Sequence, residues 1–357
     1  MPGSIESRLT DWEDLFRREI APWADAIDEG DLFPERSLRT LADAGCASVG
    51  VDSNRYGSAL PADDLWRFHE ALSAACGTTW FILVQHIGAT GQIAATPNPA
   101  LRDRWLDDLL AGRRWMGVAF GHLRRPEPVV RAVRVDGGWE VSGTAPWVTG
   151  WPILDAMIVG ARTSEGGHWY GVVETRSTPG CIPSDPLRLA AMQASRTVAV
   201  QLDRVHVPDD AVLRVASPEE LSQGDRSNLL KTIAPLSGVA GAACALGRSL
   251  SKQRGLPDAE GAWDILFARR NQIRGTVLGE LATGGDLPDR ERLRLRTEAI
   301  QLAVDTATAA VVSAAGNGMI AGKPAQRLLR EAAFYSVFQQ TSAIAAATLE
   351  RTAARWR

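Results

Sequence analysis

The change of hydrophobic period along the chain constrains its fold more than any single motif does. Residues from about 6 to 112 carry helical spacing: Leu9, Trp12, Leu15, Phe16 and Ile20 fall on one face, and Leu38, Leu41 and Ala42 on another after a Pro34 start signal. Polar breaks at Asn54 to Ser58 and Thr96 to Pro99 separate these helices. From about 113 to 215 the pattern shifts to short β-type runs between Gly/Pro turns, with Val198, Val200 and Leu202 alternating. Val205 and Val207 continue in the opposite phase, which predicts a bulge or bend between the two sets. From about 225 the chain becomes rich in Ala and Leu, in long helical runs broken at Gly255-Leu256-Pro257, Gly284-Gly285-Asp286-Leu287-Pro288 and Gly322-Lys323-Pro324. Four long helices with short connections are the pattern of an antiparallel bundle. The expected organisation is a helical domain (1–112), a β domain (113–215) and a helical bundle (216–357).

With 357 residues, 45% hydrophobic and 23% charged, the chain has the material for a large core divided into two or three domains. A net charge of −3 with scattered basic residues argues against nucleic acid and anionic membrane as partners. No apolar run is expected to reach the roughly 20 residues of a bilayer span, and Glu6, Arg8, Asp11 and Glu13 do not suit a signal peptide, so the expected location is cytoplasmic. Cys46, Cys76, Cys181 and Cys244 are widely separated, the pattern of reduced thiols rather than of disulfides or metal ligands.

One segment concentrates chemistry. Val135-Asp136-Gly137-Gly138-Trp139 reads as a hairpin turn, with one strand ending at Val135 and the next starting at Trp139. The second strand runs into Gly143-Thr144-Ala145-Pro146-Trp147-Val148-Thr149-Gly150-Trp151, which sets a flat aromatic, a hydroxyl and glycines side by side. Such a surface suits a flat, redox-active ring, although Trp147 taken alone reads equally as a core aromatic.

This segment, with Asp155 and Ala156-Met157-Ile158-Val159 after it, resembles the middle-domain signature G-T-K-x-W-[IV]-T-[NG]-[GA] of the acyl-CoA dehydrogenase family. Thr178-Pro179-Gly180, Leu189 to Thr197 and Val205-His206-Val207-Pro208 are similar to the family's next three segments in the same order. Ala315-Gly316-Asn317-Gly318, then Pro324 to Ala332, resembles its G-G-x-G and x-x-E-R-x-x-R-D-A segments. The resemblance implies an N-terminal α-helical domain, a small antiparallel β domain with no parallel pairing, and a C-terminal four-helix bundle. It also implies FAD between the β domain and the bundle, an acyl-thioester substrate, and a homodimer or homotetramer. By carry-over, Trp147 and Val148 lie beside the flavin and Thr149 donates toward its N5 edge. Phe120 and Gly121 after the first strand and Thr341 after the base position are implied as further cofactor-binding residues, and Gly316 and Gly318 let backbone approach the FAD of a neighbouring subunit.

Several positions depart from the family. Its catalytic Glu, in a Y-E-G-T-S-E-I type segment, corresponds to Gln339 in Phe338-Gln339-Gln340-Thr341-Ser342, and a carboxamide does not accept a proton at neutral pH. The alternative base position on the first bundle helix is Lys231, a cation by default. Phe120-Gly121-His122-Leu123-Arg124-Arg125-Pro126 replaces the family's L-T-E-P-x-A-G-S-D, and Arg254 to Asp258 replaces R-x-x-F-G. Arg124 and Arg125 are candidate phosphate contacts, with a solvated basic turn as the plainer reading. His122 and His86 are candidate replacement bases, and each reads equally as a hydrogen-bonded structural histidine. Three functions are therefore expected to compete. One is an FAD-dependent oxidoreductase of an acyl thioester or related small molecule with an unconventional base. The others are a flavin-dependent monooxygenase on the same fold and a base-less partner subunit of a heteromeric dehydrogenase.

Overall fold

The computed structural model describes residues 5–51, 60–285 and 287–357, so the expected break at Asn54 to Ser58 and Asp286 of the second bundle turn lie outside the described residues. The N-terminal part contains α1 (Ile5–Leu15), α2 (Ala24–Asp28), α3 (Glu35–Asp43), α4 (Ala62–Ala75), α5 (Gly77–Ala95) and α6 (Pro99–Leu110). Leu9 and Trp12 of α1, with Phe16 and Ile20 in the turn after it, are buried, while Leu15 is half-buried. Trp12 and Phe16 meet Phe68 of α4 edge-on at 5.3 and 5.4 Å, so the stripe read from the sequence finds its partner on another helix. α6 starts at Pro99, a proline in the first turn, with the Asn98 side chain accepting the Leu101 N–H.

An eight-stranded sheet follows: β1 (Met116–Ala119), β2 (Val130–Val135), β3 (Gly138–Val148), β4 (Ala156–Thr163), β5 (His168–Glu174), β6 (Cys181–Pro183), β7 (Val198–Pro208) and β8 (Val212–Ala216). The strand order is β6-β7-β3-β2-β4-β5-β8, with β1 also on β4. Most pairings are antiparallel, but the expectation of no parallel pairing is corrected: β1 and β2 both run parallel to β4. The reason is local. β3 returns the chain beside β2, the connection to Asp155 turns it again, and β4 then starts alongside β1 in the same direction. β1 and β2 thus lie end to end along one edge of β4, and the chain between them, 120–129, leaves the sheet. The phase change in β7 is a bulge: Val141 faces Val205 while Gly143 faces Leu202, and Arg204 has φ +48°.

The C-terminal helices are α7 (Pro218–Lys231), α8 (Ile233–Gln253), α9 (Ala259–Thr283), α10 (Asp289–Ala314), α11 (Pro324–Val337) and α12 (Ser342–Ala354). Two stretches, Pro218–Gln253 and Asp289–Met319, are long and apolar enough by composition to cross a membrane, against the expectation of no such run. The window in the first is 72% buried, because α8 packs against α4, α9, α10 and α11. Its small residues allow that packing: a Cβ on Gly238 would collide with Ser73 and with the Glu70 carbonyl of α4.

Buried ion pairs lock the N-terminal helices to the bundle. Glu70 accepts from Ser237 Oγ at 2.6 Å and from Arg274 at 2.8 Å, and also pairs with Arg270. Glu331 of α11 accepts the Gly77 N–H at 2.9 Å and pairs with Arg327, which also reaches Asp25 at 2.8 Å. α11, which leads into residues 338–341, is therefore anchored to α2 and to the start of α5.

Candidate functional site

Two of the segments singled out in the sequence converge at the end of β3. Trp147 is 53% exposed, Val148 is buried beneath it, and Thr149 is buried with its hydroxyl 3.1 Å from that of Thr197. Ser195 Oγ lies 2.8 Å from the same Thr197 hydroxyl, and the Gly150 N–H donates to the Ser195 carbonyl at 2.8 Å. Three hydroxyls share two hydrogen bonds, so one O–H remains at an end of the chain. When Ser195 donates to Thr197 and Thr197 to Thr149, the free donor is that of Thr149. Gly150 takes φ +82°, the left-handed conformation that turns the chain away after Thr149.

A further segment singled out in the sequence is the junction between α11 and α12. Phe338 ends α11 with its carbonyl 3.0 Å from the Arg296 guanidinium, and Arg296 also donates to the Tyr335 carbonyl at 3.2 Å. Gln339 follows with φ +51°, an uncommon conformation for a residue with a Cβ, and its side chain is exposed. Thr341 caps α12 by accepting the Ile344 N–H at 3.3 Å. Behind this junction Trp80, Phe81, Phe334, Tyr335 and Phe338 pack edge to edge, with Trp80 and Phe338 at 5.3 Å and Phe81 and Phe334 at 4.6 Å. This aromatic wall fills the space between α5 and α11.

A cleft of about 600 Å3 opens beside the junction, lined by Leu123 to Pro126, by Arg162 and His168 at the end of the β4–β5 hairpin, by α7, and by Gln340 to Ser342. The 120–129 excursion from the sheet supplies its rim. Arg124 grips Asp225 through both carboxylate oxygens at 3.1 and 3.0 Å, so its charge is matched within the protein, while Arg125 is exposed. Phe120 is half-buried edge-on to Tyr170 at 5.7 Å, and Gly121 is exposed.

The candidate histidines are placed as follows. His86 is buried in α5, where its Nδ1 accepts the Met116 N–H at 3.3 Å and its Nε2 donates to the Leu109 carbonyl at 3.0 Å. Both ring nitrogens are engaged, and burial lowers its pKa to about 4, so it is neutral and ties α5 to β1 and α6 rather than offering a lone pair to a substrate. His122 is buried with Nε2 donating to the Gly160 carbonyl at 2.8 Å, and burial lowers its pKa. It holds the start of the excursion against β4. Neither histidine lines the cleft. Gly318 is buried where a Cβ would meet the Val311 carbonyl in the last turn of α10, whereas Gly316 is exposed with open space at its Cα. Neither lines the cleft, and both lie in the turn that follows α10.

Three site features were missed in the sequence. Thr197 and Ser195 were matched only as part of a segment, although their hydroxyls are what Thr149 meets. His69, which accepts the Trp80 Nε1–H at 3.2 Å, has a pKa lowered to about 4 by burial and then by the charge of Lys231. Arg162 and His168 are cross-strand partners, and the hairpin register that pairs them was the available signal.

Comparison with known proteins places this arrangement. Residues 9–113 match the model of the acyl-CoA dehydrogenase N-terminal domain. The chain is 23% identical over 357 residues to the mitochondrial 2-methylacyl-CoA dehydrogenase of Solanum tuberosum, covering 92% of this chain and 85% of that protein. A glutaryl-CoA dehydrogenase from Mycobacterium smegmatis in complex with FADH2 superposes with a TM-score of 0.85 at 16% identity, covering 99% of this chain and 95% of the other. PigA with FAD and proline superposes with a TM-score of 0.84 at 16% identity, covering 99% of both chains. Residues 9–113 match the acyl-CoA dehydrogenase N-terminal domain, the chain is similar along most of its length to acyl-CoA dehydrogenases, and its sheet and bundle share their fold.

Proposed function

We propose that this protein is an FAD-dependent oxidoreductase that acts on an acyl thioester or a related small molecule without the family's carboxylate base. The observation that carries the reading is the pairing of an exposed Trp147 with the hydroxyl chain Thr149–Thr197–Ser195. This donor set fits a flavin: an indole face covers a planar ring, and a buried hydroxyl with one uncommitted proton meets a ring nitrogen. When bound, the flavin supplies a two-electron acceptor for hydride. Thr197 holds the Thr149 hydroxyl in place, so that it donates where negative charge builds up. Gly150 keeps side-chain bulk away from that point, and the aromatic wall of Trp80, Phe81, Phe334 and Phe338 packs rigidly behind Gln339.

Thr149→Ala should slow flavin reduction about 10²-fold and weaken flavin retention, since a preorganised donor to developing charge contributes on that order. Thr149→Ser keeps the hydroxyl and should retain most of the activity. Stopped-flow reduction and flavin content of the purified variants provide the readout, and equal rates in all three proteins would contradict the assigned role.

A second reading is supported by the fate of the candidate bases. Gln339 is an amide, Lys231 is a cation by default, and His86 has no free ring nitrogen. Oxygen chemistry on a reduced flavin needs no α-proton base, and a partner-subunit role needs no chemistry at all. A homodimer or homotetramer, or a heteromer with a related chain, is proposed on the exposed Val312, Met319 and Ile320 beside Gly316.

A further inference from the structure

Lys231 and His69 stand side by side near the α11–α12 junction, and among the described residues neither finds an acceptor for its proton. α4 brings His69 there. Trp66, one turn earlier in that helix, donates its Nε1–H to the Leu230 carbonyl at 3.2 Å, which sets the His69 ring beside the end of α7 and within reach of the Lys231 charge. Trp80 donates its indole N–H to His69 Nδ1 at 3.2 Å and meets Phe338 at 5.3 Å, so the ring also stands close to the residue before Gln339. A single buried guanidinium closes the arrangement. Arg296 donates to the Thr232 carbonyl, one residue after Lys231, and to the Phe338 carbonyl at 3.0 Å. Lys231 and Gln339, both exposed, therefore adjoin the same clamp.

The two donors differ in kind. Burial, and then the Lys231 charge, lower the His69 pKa to about 4, so the ring is uncharged at neutral pH. With Nδ1 taken by the indole N–H, the ring proton sits on Nε2, which makes that atom a donor and not a base. Lys231 forms no ion pair among the described residues, and Glu70, next to His69 in sequence, is already held by Arg270, Arg274 and Ser237. One ammonium and one neutral N–H balance a single negative charge. A cation would be repelled, an apolar group would leave both protons unmet, and a phosphate dianion would keep charge in excess. We propose that Lys231 and His69 receive a carboxylate of the substrate, so that the molecule acted on carries an acid group besides its reacting centre. The inference rests on the oxidoreductase reading and names the substrate class within it. Two sources share this chemistry: a carboxylate on the acyl chain of a thioester, and that of a free small acid.

The test is calorimetric titration of the purified protein, as isolated, with thioesters matched in length: glutaryl-CoA against valeryl-CoA, and adipyl-CoA against hexanoyl-CoA. Each pair exchanges a carboxylate for a methyl group. Glutarate and adipate serve as the free acids, and flavin absorbance is read on the same samples. In at least one pair the acid form should bind about 10- to 100-fold more tightly, the gain expected for hydrogen bonds to a charged group. Lys231→Met, at an exposed position, should bring that ratio close to one, and Lys231→Arg should retain most of it. His69→Phe keeps the ring volume and should cut the ratio about 10-fold. The ratio separates recognition from packing, because a merely structural role would weaken both members of a pair alike. Binding of a free acid with the same Lys231 dependence, and of neither acid-bearing thioester, assigns the site to a free acid. Equal binding within both pairs without binding of a free acid, a preference that Lys231→Met leaves intact, or no binding of any ligand overturns the proposal. A protein that shows the preference but retains no flavin contradicts the flavin reading alone, and one that retains flavin without the preference contradicts this inference alone.

Discussion

Arg327→Met should lower the free energy of unfolding by about 3–5 kcal/mol, the loss typical of removing one partner of a buried ion pair. Glu331 is 1% exposed and would remain in the core with only the Gly77 N–H as a partner. Burial already pushes the Glu331 pKa upward, against the pull of Arg327 and of that N–H. Without Arg327 the carboxyl takes up a proton in the folded state. A carboxyl whose folded pKa is raised favours folding below its unfolded pKa, about 4.3, and loses that contribution as pH rises through the folded value. The deficit of the variant should therefore be smallest in acid and grow toward neutral pH. Urea denaturation at several pH values reads this directly, and a deficit under about 1 kcal/mol at neutral pH would contradict the assigned pairing. The effect extends to function, because the same pair fixes α11, which ends at Phe338 and Gln339.

The second large effect concerns that end of α11. On the thioester reading, Gln339→Glu alone should give no gain in thioester-dependent flavin reduction over the unaltered protein. Combined with Gln340→Gly, it should raise the rate by about 10²–10⁴-fold, the usual contribution of a positioned base. Gln339 is held at φ +51°, a conformation that costs on the order of 1–3 kcal/mol, and Gln340 extends its side chain into the cleft wall. Glycine at 340 removes that bulk and frees the adjoining backbone, allowing a carboxylate at 339 to reach a substrate. Anaerobic stopped-flow reduction is the measurement. No gain in the double variant, with flavin bound, would favour oxygen chemistry or a partner-subunit role.

The parts of the fold written in local periodicity were legible in the sequence. Leu9, Trp12, Phe16 and Ile20 form the buried stripe their spacing predicts, and the phase change after Leu202 is the bulge at Asp203 and Arg204. The turn between Val135 and the strand of Trp139 is where composition places it, with β3 starting one residue earlier at Gly138. Parallel pairing was not legible, since it depends on where β4 lands after two reversals rather than on any residue in β1 or β2. The apolar length of α8 and α10 is hidden for a different reason: their Ala, Gly and Thr residues form no obvious greasy run, yet α8 up to Gly247 carries no charge and α10 beyond Glu298 carries only Asp305.

The site divided along the same line. Trp147 and Thr149 are visible as a motif, and the structure adds what a motif does not contain, the hydroxyls of Thr197 and Ser195 that restrain Thr149. His86 and His122 drew attention as titratable groups near the right strands. Their roles are set by the Met116, Leu109 and Gly160 backbone groups facing them, which no spacing rule reveals. His168 sits in an unremarkable Gly-Gly-His turn, and only the hairpin register brings it beside Arg162.

The central claim is that this chain binds a flavin against Trp147 and Thr149 and uses it for oxidation and reduction. The absorbance spectrum of the purified protein, recorded after incubation with FAD and removal of excess, tests it most directly. The account predicts flavin bands that remain with the protein, report a near-stoichiometric cofactor, and bleach under anaerobic conditions when a short acyl thioester or related reductant is supplied. A folded protein that stays colourless after that treatment, with or without the Thr149 hydroxyl, would contradict it.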